Sequence, residues 1–279
     1  MPIALIYHDV VPAGDFDASG IPGAGAARYK LFPDEFQRHL DALERLVEKP
    51  FLAGAAGCPT AAAELPCLLT FDDGGASFLQ IASRLEERGW TGQFFVTTDF
   101  LGTPGFLSAD EVRQLRTRGH VVGSHSCSHP QRMSYCSWEQ LVNEWRRSCE
   151  ILADITGAPV TTGSVPGGFY SRRVAQAAAQ AGIRILYTSE PTTRPHHVDG
   201  CTVFGRYSVD RSVTVEAMSA IVSGRLLPRL RQAFLWKAKA LAKMVAGPLY
   251  AGFRDQWLGH DYEAIQSEGR EARRLSGTP

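Results

Sequence analysis

The chain has 279 residues, with 29 basic and 29 acidic side chains, a hydrophobic content of 44% and 27 glycines. The balanced charge argues against broad electrostatic binding of nucleic acid, and the composition is typical of a globular α/β protein with one large domain. No stretch approaches the roughly 18–20 apolar residues of a membrane span. The N-terminus lacks the basic region of a signal peptide, and the uneven spacing of the cysteines favours reduced thiols, so we expect a cytoplasmic protein.

The first predicted strand covers residues 3–11, a continuous apolar run typical of a parallel sheet that is covered on both faces. His8 lies at its C-terminal end, where barrels of alternating strands and helices carry their active sites. This histidine is therefore either a packed or turn residue or a general acid. Residues 12–30 are rich in glycine, proline and alanine and predict a loop over the site, and helical spacing predicts a helix over residues 33–47.

An apolar run over residues 68–71 ends in two adjacent carboxylates, Asp72 and Asp73, followed by two glycines. Neighbouring side chains on a regular strand point to opposite faces, but glycines at a strand end allow the backbone to bend. Both carboxylates can then reach one cavity, where two anions are costly unless a cation lies beside them. The stretch is either an ordinary turn or one half of a cation site.

A second stretch supplies matching ligands. His125 and His129 follow a short predicted strand over residues 119–123 and are four residues apart, so they come together on one helical turn or in a turn-like loop. Imidazole nitrogens bind zinc and similar divalent ions. Cys127 lies between them but faces away on a turn, so we do not count it as a ligand. Each pattern alone is commonly accidental, whereas the two together predict a metal site.

Strands and helices alternate further along the chain, which is the pattern of a parallel α/β architecture. The predicted helices cover residues 77–88, 108–119, 137–156 and 171–181, and the later strands cover residues 93–98, 183–188 and 203–209. Residues 225–264 predict a basic amphipathic helical tail, which either packs on the domain or lies on an anionic membrane surface. Residues 265–279 are expected to be disordered.

The segments Thr70-Phe71-Asp72-Asp73-Gly74 and His125-Ser126-Cys127-Ser128-His129 resemble the first two motifs of the polysaccharide deacetylase family, also known as the NodB-homology family or carbohydrate esterase family 4. Ser164-Val165-Pro166-Gly167-Gly168 is similar to the Arg-x-Pro-x-Gly segment of that family. The resemblance implies a distorted (β/α) barrel of the seven-stranded type, with residues 1–224 as the catalytic domain and a C-terminal helical tail.

The resemblance also implies roles for individual residues. Asp73 would bind a divalent ion together with His125 and His129, and Asp72 would act as the general base. Zinc is the first choice of ion, with cobalt, nickel or iron as alternatives, because a site of two nitrogens and one oxygen accepts several metals. A subset of the family with permuted motifs carries a Tyr-His-Asp strand at its N-terminus, which favours His8 as the general acid over the competing His260.

Two departures from the family pattern concern the substrate side of the site. Ser164 stands where the family usually has arginine, and Arg206 at a late strand end is the candidate replacement. The Asp-rich fourth motif that ends in tryptophan is not apparent. A backbone N–H near Gly167, within the Pro166-Gly167-Gly168 turn, is the candidate oxyanion donor.

The implied activity is removal of N-acetyl groups from an amino-sugar glycan or glycan intermediate, with an acetylated saccharide as the partner. One alternative is a deformylase or deacetylase of a lipid-linked sugar at the cytosolic membrane face, where the basic tail would make peripheral contact. Another alternative is an inactive, metal-binding carbohydrate-recognition domain.

Overall fold

A computed structural model describes residues 3–46 and 67–245, with side chains up to residue 238. The strands are β1 Ile3–Tyr7, β2 Cys67–Phe71, β3 Gln93–Val96, β4 Val121–Ser124, β5 Thr162–Ser164, β6 Ile185–Tyr187, β7 His196–Val198, β8 Cys201–Phe204 and β9 Tyr207–Ser208. The helices are α1 Ala24–Ala27, α2 Pro33–Leu46, α3 Phe78–Glu86, α4 Ala109–Thr117, α5 Trp138–Thr156, α6 Arg172–Gln180, α7 Val215–Val222 and α8 Leu226–Val245.

All nine strands belong to one sheet in the order β7-β8-β6-β5-β4-β3-β2-β1-β9, and only the pairing of β7 with β8 is antiparallel. Although β8 lies near one edge and β9 forms the other, only Gly205 and Arg206 separate them in the chain. Three Cα–Cα steps span at most about 11 Å. The sheet must therefore curl until its edges nearly meet, which makes it a distorted barrel closed by the chain itself.

The strands β1, β2, β3, β5 and β6 are buried on both faces, as continuous apolar runs predict. On β1, Ile3, Leu5 and Tyr7 contribute to the large core between sheet and helices. Ala4 belongs instead to a smaller inner core that also contains Phe95 and Tyr187. This alternation with period two places the small cluster inside the barrel, directly below the strand ends that carry the polar residues.

The predicted α/β class, the barrel and the C-terminal helix are confirmed, but the described part of the chain has nine strands rather than seven. One reason is the predicted strand over residues 203–209, which is broken into β8 and β9. A Cβ atom on Gly205 would lie 2.3 Å from the carbonyl oxygen of Glu190. The chain passes too close to this neighbour for any larger residue, and it changes pairing partner from β6 to β1 there.

The predicted helices over residues 108–119 and 137–156 form α4 and α5. Ser108 and Ser137 each cap a helix through a capping box, with Glu111 and Gln140 as the reciprocal residues. The tail forms α8 as far as residue 245, while His260 and the rest of the tail lie outside the described residues. Across the described ranges, no helix combines the length and the apolar character that crossing a bilayer requires.

Candidate metal centre and catalytic site

The two carboxylates stand at the C-terminal end of β2, and both line one cavity. Asp73 has φ 86° and Gly74 has φ 90°, so the chain turns sharply directly after the strand. A non-glycine residue in this left-handed region is strained, at a cost of about 1–3 kcal/mol, and such strain is concentrated at functional sites. The turn brings neighbouring side chains, which a regular strand would separate, into the same cavity.

The two histidines lie in a loop after β4 rather than on a helix. Ser126 and His129 both have positive φ, 66° and 52°. The hydroxyl of Ser124 accepts a hydrogen bond from the N–H of Ser126, and the hydroxyl of Ser126 accepts one from the N–H of His129. Ser124 and Ser126 therefore hold the loop in the conformation that turns both imidazoles inward.

Asp73, His125 and His129 form the group of side chains that can hold a metal ion within the described ranges, with ligand atoms within 4.8 Å of one another. Asp73 Oδ1 lies 3.2 Å from Nε2 of His125 and 3.4 Å from Nε2 of His129. Nδ1 of His125 lies 2.9 Å from the backbone carbonyl of Ser164. If Nδ1 donates to this carbonyl, Nε2 is left with a free lone pair, which is the tautomer that a metal ligand needs.

The electrostatics of the group also suit a cation. Burial alone would raise the pKa of Asp73, but its close contacts with the imidazoles of His125 and His129 outweigh it and hold the pKa well below the ordinary carboxyl value. Burial lowers the pKa of His129, which keeps its imidazole neutral. One carboxylate and two imidazoles are a donor set that divalent transition metals accept, so the residues present fit such an ion.

Glu144 on α5 fixes the histidine loop from behind. Its Oε2 accepts hydrogen bonds from the N–H groups of Cys127 and Ser128, both at 2.9 Å, and its Oε1 accepts one from the Ser128 hydroxyl. Cys127 is buried with its Sγ 3.4 Å from the hydroxyl of Thr98, and burial raises the pKa of its thiol to about 12. The thiol thus lies outside the metal-binding group, in line with its exclusion on sequence grounds.

Asp72 is held by Arg206 in a fully buried, two-pronged ion pair. The guanidinium donates to Oδ1 and Oδ2 of Asp72, each at 2.8 Å, and Arg206 is 1% exposed. The arginine lies inside the barrel, above the rings of Phe95 and Tyr187. Burial raises the pKa of Asp72, but the charge of Arg206 outweighs it, so the net pKa is lowered and the carboxylate stays ionised.

Ser164 connects the two halves of the site. Its hydroxyl donates to Oδ2 of Asp72 at 2.9 Å, and its carbonyl faces His125. The Arg206 guanidinium in turn donates to the Ser164 hydroxyl at 2.6 Å. A guanidinium from the segment between β8 and β9 thus contacts both Asp72 and the side chain at position 164.

Sequence reasoning did not single out Glu144 or the hydroxyl of Ser164. Glu144 stands beside Trp145 in a helix whose apolar spacing draws attention to the buried stripe and not to its polar neighbour. Ser164 was considered only as the position that lacks arginine. No local signal marks either residue, because each acts through a contact with a distant part of the chain.

His8 lies directly after β1, which ends at Tyr7, and lines the same cavity as Asp72 and Asp73. Its ring packs 4.9 Å from that of Tyr29, and its Nδ1 is buried with no hydrogen-bond partner among the described residues. The neighbouring Asp9 is tied by the hydroxyls of Ser19 and Ser77, at 2.6 and 2.8 Å. The loop predicted over the site is thereby attached beside His8.

The turn after β5 forms the opposite wall. Pro166 is buried, whereas Gly167 and Gly168 line the cavity with φ of 59° and 68°. A Cβ atom on Gly168 would lie 2.4 Å from the hydroxyl of Ser189. The cavity has a volume of about 810 Å³ and also includes Arg206, so all the predicted site residues in the described ranges except Pro166 line it.

These features define a barrel protein with a candidate metal centre and a buried carboxylate at the C-terminal ends of its strands. Residues 62–186, a little under half of the chain, match the family model described as polysaccharide deacetylase. Over 126 residues it is 31% identical to the peptidoglycan-N-acetylglucosamine deacetylase PgdA of Listeria monocytogenes. That match covers 44% of this chain and only 25% of the Listeria protein.

Solved structures share the fold at lower identity. The Streptococcus pyogenes deacetylase PplD, solved in complex with acetate, aligns over 77% of this chain and 95% of its own, with a TM-score of 0.61 and 18% identity. IcaB from Ammonifex degensii aligns over 80% and 97%, with a TM-score of 0.62 and 18% identity. At this identity, the likeness shows that the barrel is shared.

Proposed function

We propose that this protein is a metal-dependent hydrolase that removes N-acetyl groups from an amino-sugar-containing glycan or glycan intermediate. The observation that carries the proposal is that the adjacent carboxylates of Asp72 and Asp73 have different contacts. Asp73 faces two imidazoles, whereas Asp72 faces a guanidinium and a hydroxyl. One carboxylate is thus available to a cation, and the other stays free beside it to accept a proton.

Asp73, His125 and His129 would hold the divalent ion, most suitably zinc, which when bound polarises an amide carbonyl and acidifies a water molecule. Asp72 accepts the proton of the attacking water, and Arg206 and Ser164 keep its carboxylate ionised and oriented. Oδ2 of Asp72 accepts from both Arg206 and Ser164, whereas Oδ1 accepts from Arg206 and keeps a second lone pair that can take the proton.

His8 is the group placed to protonate the leaving amine. It lies in the same cavity, and its buried Nδ1 has no partner among the described residues, so the ring is not committed to a structural hydrogen bond through that atom. An imidazole titrates near neutrality and suits proton transfer to an amine. The backbone N–H near Gly167 is the proposed donor to the developing oxyanion.

The test combines metal analysis with acetate release from N-acetylated oligosaccharides. Asp72→Asn should retain the ion and lose at least about a hundredfold in rate, because the proton acceptor is gone. His129→Ala should lose the ion as well as the rate. A protein that binds metal but releases no acetate from any acetylated saccharide would favour the inactive carbohydrate-recognition domain. His8→Ala and His260→Ala, compared separately, decide between the two candidate acids.

A second candidate substrate is a lipid-linked sugar, carrying either an acetyl or a formyl group. The observation in its favour is that the cavity lined by the carboxylates and imidazoles is also lined by apolar side chains of α7 and α8. These include Ile221, Leu227, Leu235 and Trp236. An apolar arm has no role for a free oligosaccharide but suits a hydrocarbon chain. Faster release of acetate or formate from a lipid-linked amino sugar than from the same sugar without the lipid would select this candidate.

A further inference from the structure

The helix α8 carries its polar contacts on the face that touches the barrel. The guanidinium of Arg229 donates two hydrogen bonds to the carbonyl of Ile221, at 2.9 and 2.8 Å. Gln232 donates to the carbonyl of Ser208 at 2.8 Å. The helix is therefore fixed to the domain by its polar side.

The opposite face of α8 is apolar and exposed. Leu226, Leu230 and Phe234 follow one another at intervals of four residues, with exposed fractions of 71%, 61% and 72%, and Leu227 beside them is 82% exposed. An ordinary surface helix of a globular protein has the reverse arrangement, with its apolar stripe facing the core. A contiguous exposed patch of this kind marks an interaction site.

The charge around this face indicates the partner. The chain is electrically balanced, yet residues 217–254 contain no Asp or Glu and seven basic residues. Arg225, Arg231 and Lys237 are exposed on or beside α8. A protein partner would have to combine an apolar groove with an acidic rim, whereas an anionic bilayer offers hydrocarbon below and phosphate charge above along the whole helix.

We propose that α8 docks on an anionic membrane surface, with Leu226, Leu230 and Phe234 entering the interface and the neighbouring basic side chains contacting lipid phosphates. Long basic side chains extend toward headgroups while their stems lie along the apolar surface. Leu227 also lines the cavity, so docking brings the mouth of the cavity to the bilayer.

The test measures co-sedimentation of the full chain with vesicles of phosphatidylcholine alone and of phosphatidylcholine with phosphatidylglycerol at about 7:3. We expect binding to the anionic vesicles that is at least tenfold tighter and that weakens with added salt. Leu230→Glu and Phe234→Glu should each weaken binding about tenfold or more. Leu46→Glu replaces an exposed leucine at the end of α2 and should leave binding unchanged. The double variant Arg225→Gln and Lys237→Gln should weaken binding to the anionic vesicles only.

Three results would overturn the proposal. Equal binding of wild type and Phe234→Glu would show that the face does not touch lipid. Absence of vesicle binding together with a dimer in sedimentation analysis that Leu230→Glu abolishes would assign the face to a second copy of the chain. A lower melting temperature for Phe234→Glu but not for Leu46→Glu, without vesicle binding, would show that another part of the chain covers the face. If the glutamate variants fold poorly, the milder variant Leu230→Ser takes their place in the comparison of vesicle binding with wild type.

Discussion

Replacement of Arg206 by methionine is the sharpest test of how the site is held together. The side chain of Arg206 makes five hydrogen bonds, two to Asp72 and one each to Ser164, Thr70 and the carbonyl of Thr188. The methionine side chain is apolar and would pack against the rings of the inner core, so the variant removes the charge without opening a large cavity.

The expected cost follows from burial. Removing one partner of a buried ion pair leaves the other charge without compensation, which costs about 3–5 kcal/mol of unfolding free energy. In Arg206→Met, the Ser164 hydroxyl is the one side chain among the described residues that still donates a hydrogen bond to the buried Asp72. Asp72→Asn should be costly as well, since it leaves a buried guanidinium. The double variant removes both charges and should recover at least about 2 kcal/mol relative to the sum of the two single variants.

Urea denaturation followed by tryptophan fluorescence measures these differences, in the presence of a chelator so that metal binding does not contribute. Arg206→Lys is the matched control, because it retains the charge but cannot make the two-pronged contact, and it should fall between wild type and Arg206→Met. The reasoning would be refuted by a loss below about 1 kcal/mol in Arg206→Met, or by single-variant losses that simply add in the double variant.

Two further predictions concern the histidine loop and the core. Glu144→Gln should weaken zinc binding about tenfold or more, measured by competition with a chromogenic chelator, because the loop loses its charged anchor. Glu150 on the same helix is exposed, so Glu150→Gln should leave the zinc affinity unchanged. Equal zinc affinities of the two variants would show that Glu144 does not support the metal site. Burial lowers the pKa of His39 to about 4, so above pH 6.5 its imidazole is neutral in both folded and unfolded states. As pH falls from 6.5 to about 4, His39 is protonated in the unfolded state but not in the folded state. The free energy of unfolding therefore falls by up to about 3 kcal/mol. His39→Gln should flatten this part of the pH–stability curve relative to wild type and to a control at the exposed His197, whereas superimposable curves would contradict the prediction.

The sequence predicted individual elements where a signal is local. Apolar runs marked the buried strands, and the predicted helices over residues 108–119 and 137–156 correspond to α4 and α5. It predicted one strand where β8 and β9 form, because apolar spacing alone does not register how closely Gly205 approaches Glu190. The added antiparallel strand β7 also escaped prediction, since it is short and its two histidines are exposed.

What the sequence by itself determined is the chemical content of the site. Adjacent carboxylates after an apolar strand and two histidines four residues apart after another strand are local patterns, and parallel strands place their C-terminal ends at one edge. Only the tertiary structure decided which group accompanies which carboxylate. The guanidinium of Arg206 reaches Asp72 because the curled sheet brings β9 beside β1. Asp72 and Arg206 are 134 residues apart in the chain, so no local sequence pattern connects them. Closure of the barrel brings them within hydrogen-bond distance.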